Sequence, residues 1–477
     1  MMYLKNMVRG LENDAPAKEL IRCWHHDAGT LKFWRASSNF VYLFQVNDQP
    51  HYLRFIHEED RSTEQIQAEL DFMLILLDKG FATVAPIRSI QGNWIETIST
   101  ENGHYHGVVF EQAKGVHIPL DQMSDFHFEE WGKSLAHLHH LSESYTPNAI
   151  PRKSWVDTLD FIASVLKSHP QEHEAIAEYE RIKTWLSELP SGVGHTGLIH
   201  YDFETDNVFY MKDELRFSAI DFDDSMYHWF MMDITSALTD LIEQNNQAAN
   251  QNILRFISGY QSVKHLDNDY IEMMPRFQRF ATLYTFARLL RCMDNMDLLH
   301  PPDWIIQLRQ KFIGICDQTR ASFQPLIELK KITENNWYAC TQLEVTDEQK
   351  AVFPVPVVYW LAESAYCGMS PLSLYAEGAL VGFAVYAVDP DDGSYWIMAF
   401  MIDRKVQNRG FGRSGMEALI RYIEDEHSCD RIVLGHRPEN ERASSLYASL
   451  GFIEVDRNDR EIIRQRVSSE KKIRVRE

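Results

Sequence analysis

Gly197-Leu198-Ile199-His200-Tyr201-Asp202-Phe203-Glu204-Thr205-Asp206-Asn207 begins as a short apolar run and turns at once into acid-rich polar sequence. The same change recurs thirteen residues past Asn207, where Phe217-Ser218-Ala219-Ile220 runs into Asp221-Phe222-Asp223-Asp224. Two short apolar runs, each delivering polar groups at its end, read as two strand ends facing one site. The residue types suit one chemistry. A carboxylate can orient or deprotonate an attacking hydroxyl, and oxygen ligands can hold a magnesium ion that keeps part of its water. Asp202, Asn207 five residues on, and Asp221 after the next run supply that set.

Working outward, the first hundred residues read as strands with one helix. Segments 31–33, 40–46, 51–56, 87–90, 94–98 and 107–110 are rich in aromatic and β-branched residues. Asn47-Asp48-Gln49-Pro50 is expected as a hairpin turn. Residues 63–78 carry Ile66, Leu70, Met73, Leu74 and Leu77 at helical spacing, with Gly80 as a stop. From about 126 to 323 helices dominate, at 128–141, 174–189 and from 233 onward. Near Leu329 the pattern changes again. Segments 341–345, 372–376, 381–388, 395–401, 431–435 and 461–467 alternate as strands, with helices at 413–426 and 443–449. The expected boundary lies at 328/329.

On the paired motifs, His200-x-Asp202 to Asn207 and Ile220-Asp221-Phe222-Asp223, the first part resembles the aminoglycoside phosphotransferase and choline kinase group, relatives of protein kinases. The resemblance implies an α+β two-lobed kinase-like domain over 1–328, with a small lobe at about 15–115 and a helical lobe at 116–328. It implies Asp202 as catalytic base, Asn207 and Asp221 as magnesium ligands, and Asp223 as a further one. His200 would be a structural member of the loop. Arg54 stands where the family has its phosphate-binding lysine, and Glu69 matches that residue's ion-pair partner. Ala36-Ser37-Ser38-Asn39-Phe40 occupies the phosphate-loop position without glycine, so Ser38 and Asn39 would meet phosphate there. Glu111 and Ala113 fall where the family's hinge contacts the purine of ATP or GTP. His137, His139 and His140 fall on one helix where the family has a Leu-His pair, and no metal site is expected from them.

A second constellation follows. Gln407-Asn408-Arg409-Gly410-Phe411-Gly412 lies between a strand and a helix, which would set free backbone amides at a helix start, a ready pyrophosphate site. Pro438-Glu439-Asn440 and Leu446-Tyr447-Ala448-Ser449-Leu450-Gly451-Phe452 come after it. Together these resemble the acetyl-CoA signature of the GNAT N-acetyltransferases over about 331–470, an α/β domain expected at 329–477. By resemblance Gln407, Arg409, Gly410, Phe411 and Gly412 would cradle the CoA pyrophosphate. Met401 and Asn440 would meet pantetheine, and Tyr447 would protonate the leaving thiolate. Segments 372–375, 381–386 and 395–403 are similar to the spermine/spermidine subgroup, which implies a polyamine-like acceptor. Phe353-Pro354-Val355-Pro356 departs from that subgroup by its prolines, and Glu363 is a candidate cation contact.

Composition narrows the classes. Of 477 residues 45% are apolar and 24% charged, which excludes a disordered or collagen-like chain. A net charge of −22, from 47 basic and 69 acidic side chains, disfavours nucleic acid and favours cationic small molecules. About three quarters of that excess falls in residues 1–330. The six cysteines lack any Cys-x-x-Cys pair, no apolar run reaches membrane-spanning length, and Met1-Met2-Tyr3-Leu4-Lys5-Asn6 lacks a signal-peptide core. A cytoplasmic enzyme with no membrane or nucleic-acid partner is expected. It would use Mg2+, ATP or GTP, and acetyl-CoA to modify hydroxyl- and amine-bearing small molecules, aminoglycoside-like ones included. The alternative is an acetyltransferase whose kinase-like part only binds a ligand and regulates.

Overall fold

The computed structural model describes residues 1–467 except 148–150, 193, 245, 297, 299, 326, 377, 428 and 430. The last ten residues of the expected second domain, 468–477, lie outside the described residues. The chain forms two compact units, 1–172 with 182–319 and 173–181 with 320–477.

In the first unit, strands β1 (Lys32–Ala36), β2 (Phe40–Val46), β3 (Gln49–His57), β4 (Pro86–Ile87), β5 (Glu96–Thr100) and β6 (Gly103–Glu111) form one antiparallel sheet. Its order is β1-β2-β3-β6-β4, with β5 also on β6. Period-two alternation sends Phe40, Tyr42 and Phe44 of β2 into the core with Leu53 and Phe55 of β3. Phe40 stacks on Phe55 at 4.8 Å. The turn expected at 47–50 is shorter. Val46 already pairs with Gln49, and Asn47 and Asp48 alone turn the chain at φ 50° and 62°. Both central residues at positive φ match the twist of a two-residue hairpin.

The helix Thr63–Asp78 starts at a capping box, in which Ser62 Oγ accepts from Gln65 N and Gln65 Oε1 from Ser62 N. It buries Ile66, Glu69, Leu70 and Met73. Two short helices, Leu4–Leu11 and Ala15–Leu20, precede the sheet where only strands were expected. Eight and six residues are too few to show a periodic signal, and burial of Leu4, Met7, Ala17 and Leu20 holds them.

Two two-stranded sheets in the helical part place the polar segments. β7 (Thr196–Ile199) pairs antiparallel with β10 (Met226–Trp229), and β8 (Val208–Met211) with β9 (Arg216–Ala219). Residues 200–207 therefore join β7 to β8, and 220–225 join β9 to β10. The helices Asp125–Glu143 and Gln247–Gln261 cross so closely that a Cβ on Gly132 would lie 2.0 Å from Phe256 O, and one on Gly259 2.0 Å from Glu129 O.

The second unit is one sheet of order β11-β12-β13-β14-β15-β17-β16. Its strands are β11 (Ile327–Lys331), β12 (Ser370–Ala376), β13 (Ala379–Val388), β14 (Tyr395–Ile402), β15 (Arg431–His436), β16 (Ile453–Arg457) and β17 (Ile462–Val467). The boundary expected at 328/329 falls inside β11. All neighbours are antiparallel except β14 and β15. The helix Phe411–Glu426 covers one face with Met416, Leu419, Ile420 and Ile423. The other face is covered by Val357 of the helix Val357–Cys367, with Cys340, Leu343 and Val345. The strand expected at 341–345 is absent among the described elements. Its alternation instead drops Leu343 and Val345 under the sheet from an unpaired segment. The edge strand β16 was missed because every one of its residues is exposed. Among the described residues no helix is long and apolar enough to cross a membrane.

Candidate active sites

In the first unit the polar loop after β7 hangs from one buried carboxylate. Asp233, in the helix Phe230–Ala237, accepts from His200 N and Tyr201 N at 2.8 Å each. Its Oδ2 also lies 2.9 Å from His139 Nε2, and His139 Nδ1 lies 2.8 Å from the Tyr260 hydroxyl. His139 is thereby spent on the scaffold. This anchoring holds Tyr201 at φ 73°, a left-handed conformation that costs a bulky residue about 1–3 kcal/mol. His200 crosses to the second loop. Its Nδ1 accepts from Asp202 N at 3.2 Å, so Nε2 carries the proton and donates to Ile220 O at 3.0 Å. Burial keeps this imidazole neutral by lowering its pKa.

Asn207 and Asp202 then meet. Asn207 Nδ2 donates to Asp202 Oδ2 at 2.7 Å and to Asp202 O at 3.0 Å. Burial, with Glu204, Asp224 and Asp223 nearby, raises the Asp202 carboxyl to about 7. Both amide protons of Asn207 point at Asp202, and its Oδ1 is buried with no hydrogen-bond partner. Ile220 N donates to Asn207 O at 2.9 Å, which brings Asp221 beside it at φ 66°. An unpartnered amide oxygen next to a carboxylate is the donor set of a hard cation that keeps most of its water. No trio of His, Cys, Asp or Glu converges among the described residues, so an ion here would rely on that amide oxygen.

The nucleotide-side residues gather through charge. Arg54 Nη2 donates to Glu69 Oε1 at 2.7 Å, and Arg54 Nη1 to Asp221 Oδ1 at 3.3 Å. Arg61 Nη2 lies 2.8 Å from Glu69 Oε2. Burial alone would raise Glu69, but Arg54 and Arg61 hold it at about 2. Arg35 Nη2 donates to Asp221 Oδ2 at 2.9 Å, and burial with Asp223 nevertheless lifts Asp221 to about 7. Asn39 Nδ2 donates to Asp223 Oδ2 at 2.8 Å, and Arg288 Nη2 approaches Ser38 Oγ at 3.4 Å. A cavity of about 280 Å³ beside them is walled by Val41, Tyr52, Met73 and Phe110, with Arg54, Glu111, Ala113 and Asp221 at its edges. Ser38 and Asp223 instead line a neighbouring cavity of about 370 Å³.

In the second unit the cavity follows from the sheet. β14 and β15 pair only over Tyr395–Ile397 and Ile432–Leu434, and beyond that the strands part. Residues 398–402 and 435–437 line the opened cleft of about 440 Å³. At one end Gly410, at φ 81°, turns the chain into the helix Phe411–Glu426. The first-turn amides of that helix have no partner four residues back. Gly410, Phe411, Gly412 and Gln407 line the cleft together with Met401, Asn440 and Tyr447. Arg409 does not line it. Gln407 is also structural, since its Nε2 donates to Ile402 O at 2.9 Å and to Gln349 Oε1 at 2.7 Å. Asn440 caps the helix Glu441–Ser449 by accepting from Ala443 N at 3.1 Å. Tyr447 packs on His436 at 5.7 Å and Phe452 at 6.2 Å, and burial pushes its hydroxyl up to about 12. Glu363 is exposed on its helix and off the lining.

Sequence reasoning missed several of these groups. Asp233 carried a signal, as the lone acid in Trp229-Phe230-Met231-Met232-Asp233-Ile234. Arg35 and Arg288 carried none, because their carboxylate partners, Asp221 and Asp224, are remote in sequence, and Arg61 none because it lies just outside the helix that carries its partner Glu69. Arg413, Arg437 and Arg442 also line the cleft and were not singled out.

Comparison with known proteins finds a family for each unit. Residues 31–266 match the model of the phosphotransferase enzyme family, and 336–452 that of the acetyltransferase (GNAT) family. Amicoumacin kinase of Bacillus subtilis (strain 168) is 24% identical over 275 residues, covering 55% of this chain and 81% of that protein. Spermine/spermidine N(1)-acetyltransferase of the same strain is 33% identical over 133 residues, covering 26% of this chain and 87% of that protein. A solved amicoumacin kinase in complex with AMP-PNP and Ca2+ shares the fold, with a TM-score of 0.54, 20% identity, and coverage of 66% of this chain and 96% of that one. The chain thus carries a phosphotransferase-type domain over residues 31–266 and, through residues 336–452, belongs to the GNAT acetyltransferase family.

Proposed function

We propose that this chain is a bifunctional small-molecule-modifying enzyme of the cytoplasm, with one transfer reaction in each unit. The observation that carries the reading is that each unit holds its own cavity beside its own set of reactive groups. In the first unit, within the domain drawn at 1–328, Asp202 takes the proton of an acceptor hydroxyl as that oxygen attacks the terminal phosphoryl group of ATP or GTP, whose bond to the bridging oxygen breaks to release the nucleoside diphosphate. Asn207 holds Asp202 in place with its amide protons and offers Oδ1 to a magnesium ion, with Asp221 and then Asp223 as carboxylate ligands. When bound, that ion neutralises charge on the phosphates. Arg54, fixed by Glu69, and the Ser38-Asn39 turn face the phosphates. Glu111 and Ala113 edge the cavity where a purine would lie.

In the second unit, the domain drawn at 329–477, the amides of Phe411 and Gly412 bind the CoA pyrophosphate, and Met401 and Asn440 border the pantetheine arm. A neutral amine attacks the thioester carbonyl, the C–S bond breaks, Tyr447 gives its proton to the departing sulfur, and the proton lost from the amine nitrogen passes through water to restore Tyr447. By their names, the relatives act on amicoumacin and on spermine or spermidine, so small amine- or hydroxyl-bearing acceptors are the class assigned here, with a cationic one suited to the acidic first unit. The test is purified protein offered Mg-ATP or Mg-GTP and acetyl-CoA separately with an acceptor panel. Two transfers, one lost in Asp202→Ala and the other in Tyr447→Phe, support the reading.

A second reading rests on Asp221, whose two carboxylate oxygens both meet guanidinium groups, from Arg35 and Arg54. Under it the first unit binds ligand and regulates acetyl transfer. Nucleotide binding with no phosphorylated product from any acceptor would select it.

A further inference from the structure

The lining of the cleft in the second unit varies in chemistry. One part, Gly410, Gly412, Arg413, Arg437 and Arg442, is a setting for phosphates. Another, Val345, Val352, Phe353, Pro354, Val355 and Trp360, is an apolar wall, interrupted by Gln349, whose Oε1 accepts from Gln407 Nε2 at 2.7 Å. The wall is built from the segment that leads into the helix Val357–Cys367 and from that helix's first turn. Pro354 and Pro356 stiffen this lead. None of the carboxylates on the same stretch, Glu344, Asp347 and Glu348, lines the cleft; Glu344 lies 2.8 Å from Arg404 and Asp347 2.6 Å from Lys350.

We infer that the acetyl acceptor is a single amine carried on an apolar, aromatic or branched body, and that a polyamine is the poorer substrate. A polyamine brings two or more further ammonium groups, each of which needs a carboxylate or water in place of its hydration shell. The wall offers no carboxylate, and the side-chain oxygen of Gln349 on the same stretch already accepts from Thr346 N and Gln407 Nε2. It offers rings and methyl groups, which gain from covering an apolar body. The amine then sits at the mouth of the arm between Met401 and Tyr447, where the thioester carbonyl arrives. This inference rests on the acetyl-transfer reading above.

Two measurements on the full chain separate the inference from that reading. The first is equilibrium binding of 2-phenylethylamine, tryptamine and spermidine to protein saturated with CoA. The second is CoA release from acetyl-CoA with the same three amines. The expected result is at least tenfold tighter binding and at least tenfold higher kcat/KM for the aromatic amines. Equal or better binding of spermidine overturns the inference. Preferential binding of aromatic amines without acetyl transfer to any of them supports the pocket chemistry and overturns the acetyl-transfer reading instead. Val355→Asp, at a position exposed enough to take a charge without unfolding the unit, should narrow the preference at least fivefold by favouring spermidine. An unchanged preference in that variant places the acceptor elsewhere and overturns the inference.

Discussion

The two cavities are built by opposite means. In the first unit, buried charged side chains hold the geometry: Asp233 suspends the 200–207 loop, and Glu69 gathers Arg54 and Arg61. In the second, a parallel strand pair that parts after Ile397 and Leu434 opens the cleft, and a helix start supplies its donors. A site held by side chains should fail when one of them changes. A site held by backbone should tolerate most single changes on its wall. Five variants put that contrast to the test.

The largest effect is expected at Asp202. Asp202→Ala removes the proposed proton acceptor and should cut phosphoryl transfer by about 10²–10⁴-fold, while acetyl transfer stays within error. Steady-state rates for both reactions on the same sample check this. A loss of less than fivefold would mean that Asp202 is not the base, and the side-chain half of the comparison would fall with it.

Glu69→Gln is next. It leaves Arg54 and Arg61 as neighbouring buried cations without their shared anion, which should destabilise the first unit by about 3–5 kcal/mol. Denaturant unfolding at neutral pH reads this directly. The pH dependence has a definite sign. Glu69 stands at about 2 in the folded chain, below the ordinary carboxylate value. Its contribution is complete above the unfolded value and fades as pH falls toward the folded one. The gap between wild type and Glu69→Gln should therefore be widest at neutral pH and shrink as pH drops through ~4. A gap independent of pH would show that the carboxylate charge is not what holds the arginines.

Tyr447→Phe comes third. Acetyl transfer should fall about 10–100-fold with the KM for acetyl-CoA little changed, because the ring that packs on His436 and Phe452 is kept. With the hydroxyl held at about 12, wild-type kcat should have no alkaline limb from this group below pH ~10. A limb near pH 8 that vanishes in the variant would mean that Tyr447 ionises during the reaction and does not act as a proton donor.

How much of this the sequence revealed follows the same contrast. Both folds and the residues at strand ends and helix starts were legible, because a short apolar run ending in Asp202 or Asp221, or a glycine pair before a helix, is a local pattern. Asp233, Arg35 and Arg288 act through partners dozens of residues away or more, and no local pattern encodes such a pairing. Leu343 and Val345 misled for the converse reason. Alternation records which residues are buried, and an unpaired segment lying under a sheet alternates as a strand does. Arg409 belongs to neither group. It lies inside a well-marked motif, yet its side chain does not line the cleft that the motif builds.

Arg409 therefore gives the smallest expected effect and a sharp test of the backbone half of the comparison. If the helix start binds pyrophosphate through the amides that follow Gly410, the motif needs a residue at 409 but not its guanidinium. Arg409→Ala should raise the KM for acetyl-CoA by no more than about threefold, the scale of an exposed charge contact, and leave kcat unchanged. Gly410→Ala is the control. It keeps every side-chain charge but strains a residue held at φ 81°, so it should raise the same KM more than Arg409→Ala does. The reverse order, a tenfold rise for Arg409→Ala and little for Gly410→Ala, would mean that a side chain binds the phosphates here as well. The two units would then hold their cosubstrates by the same means after all.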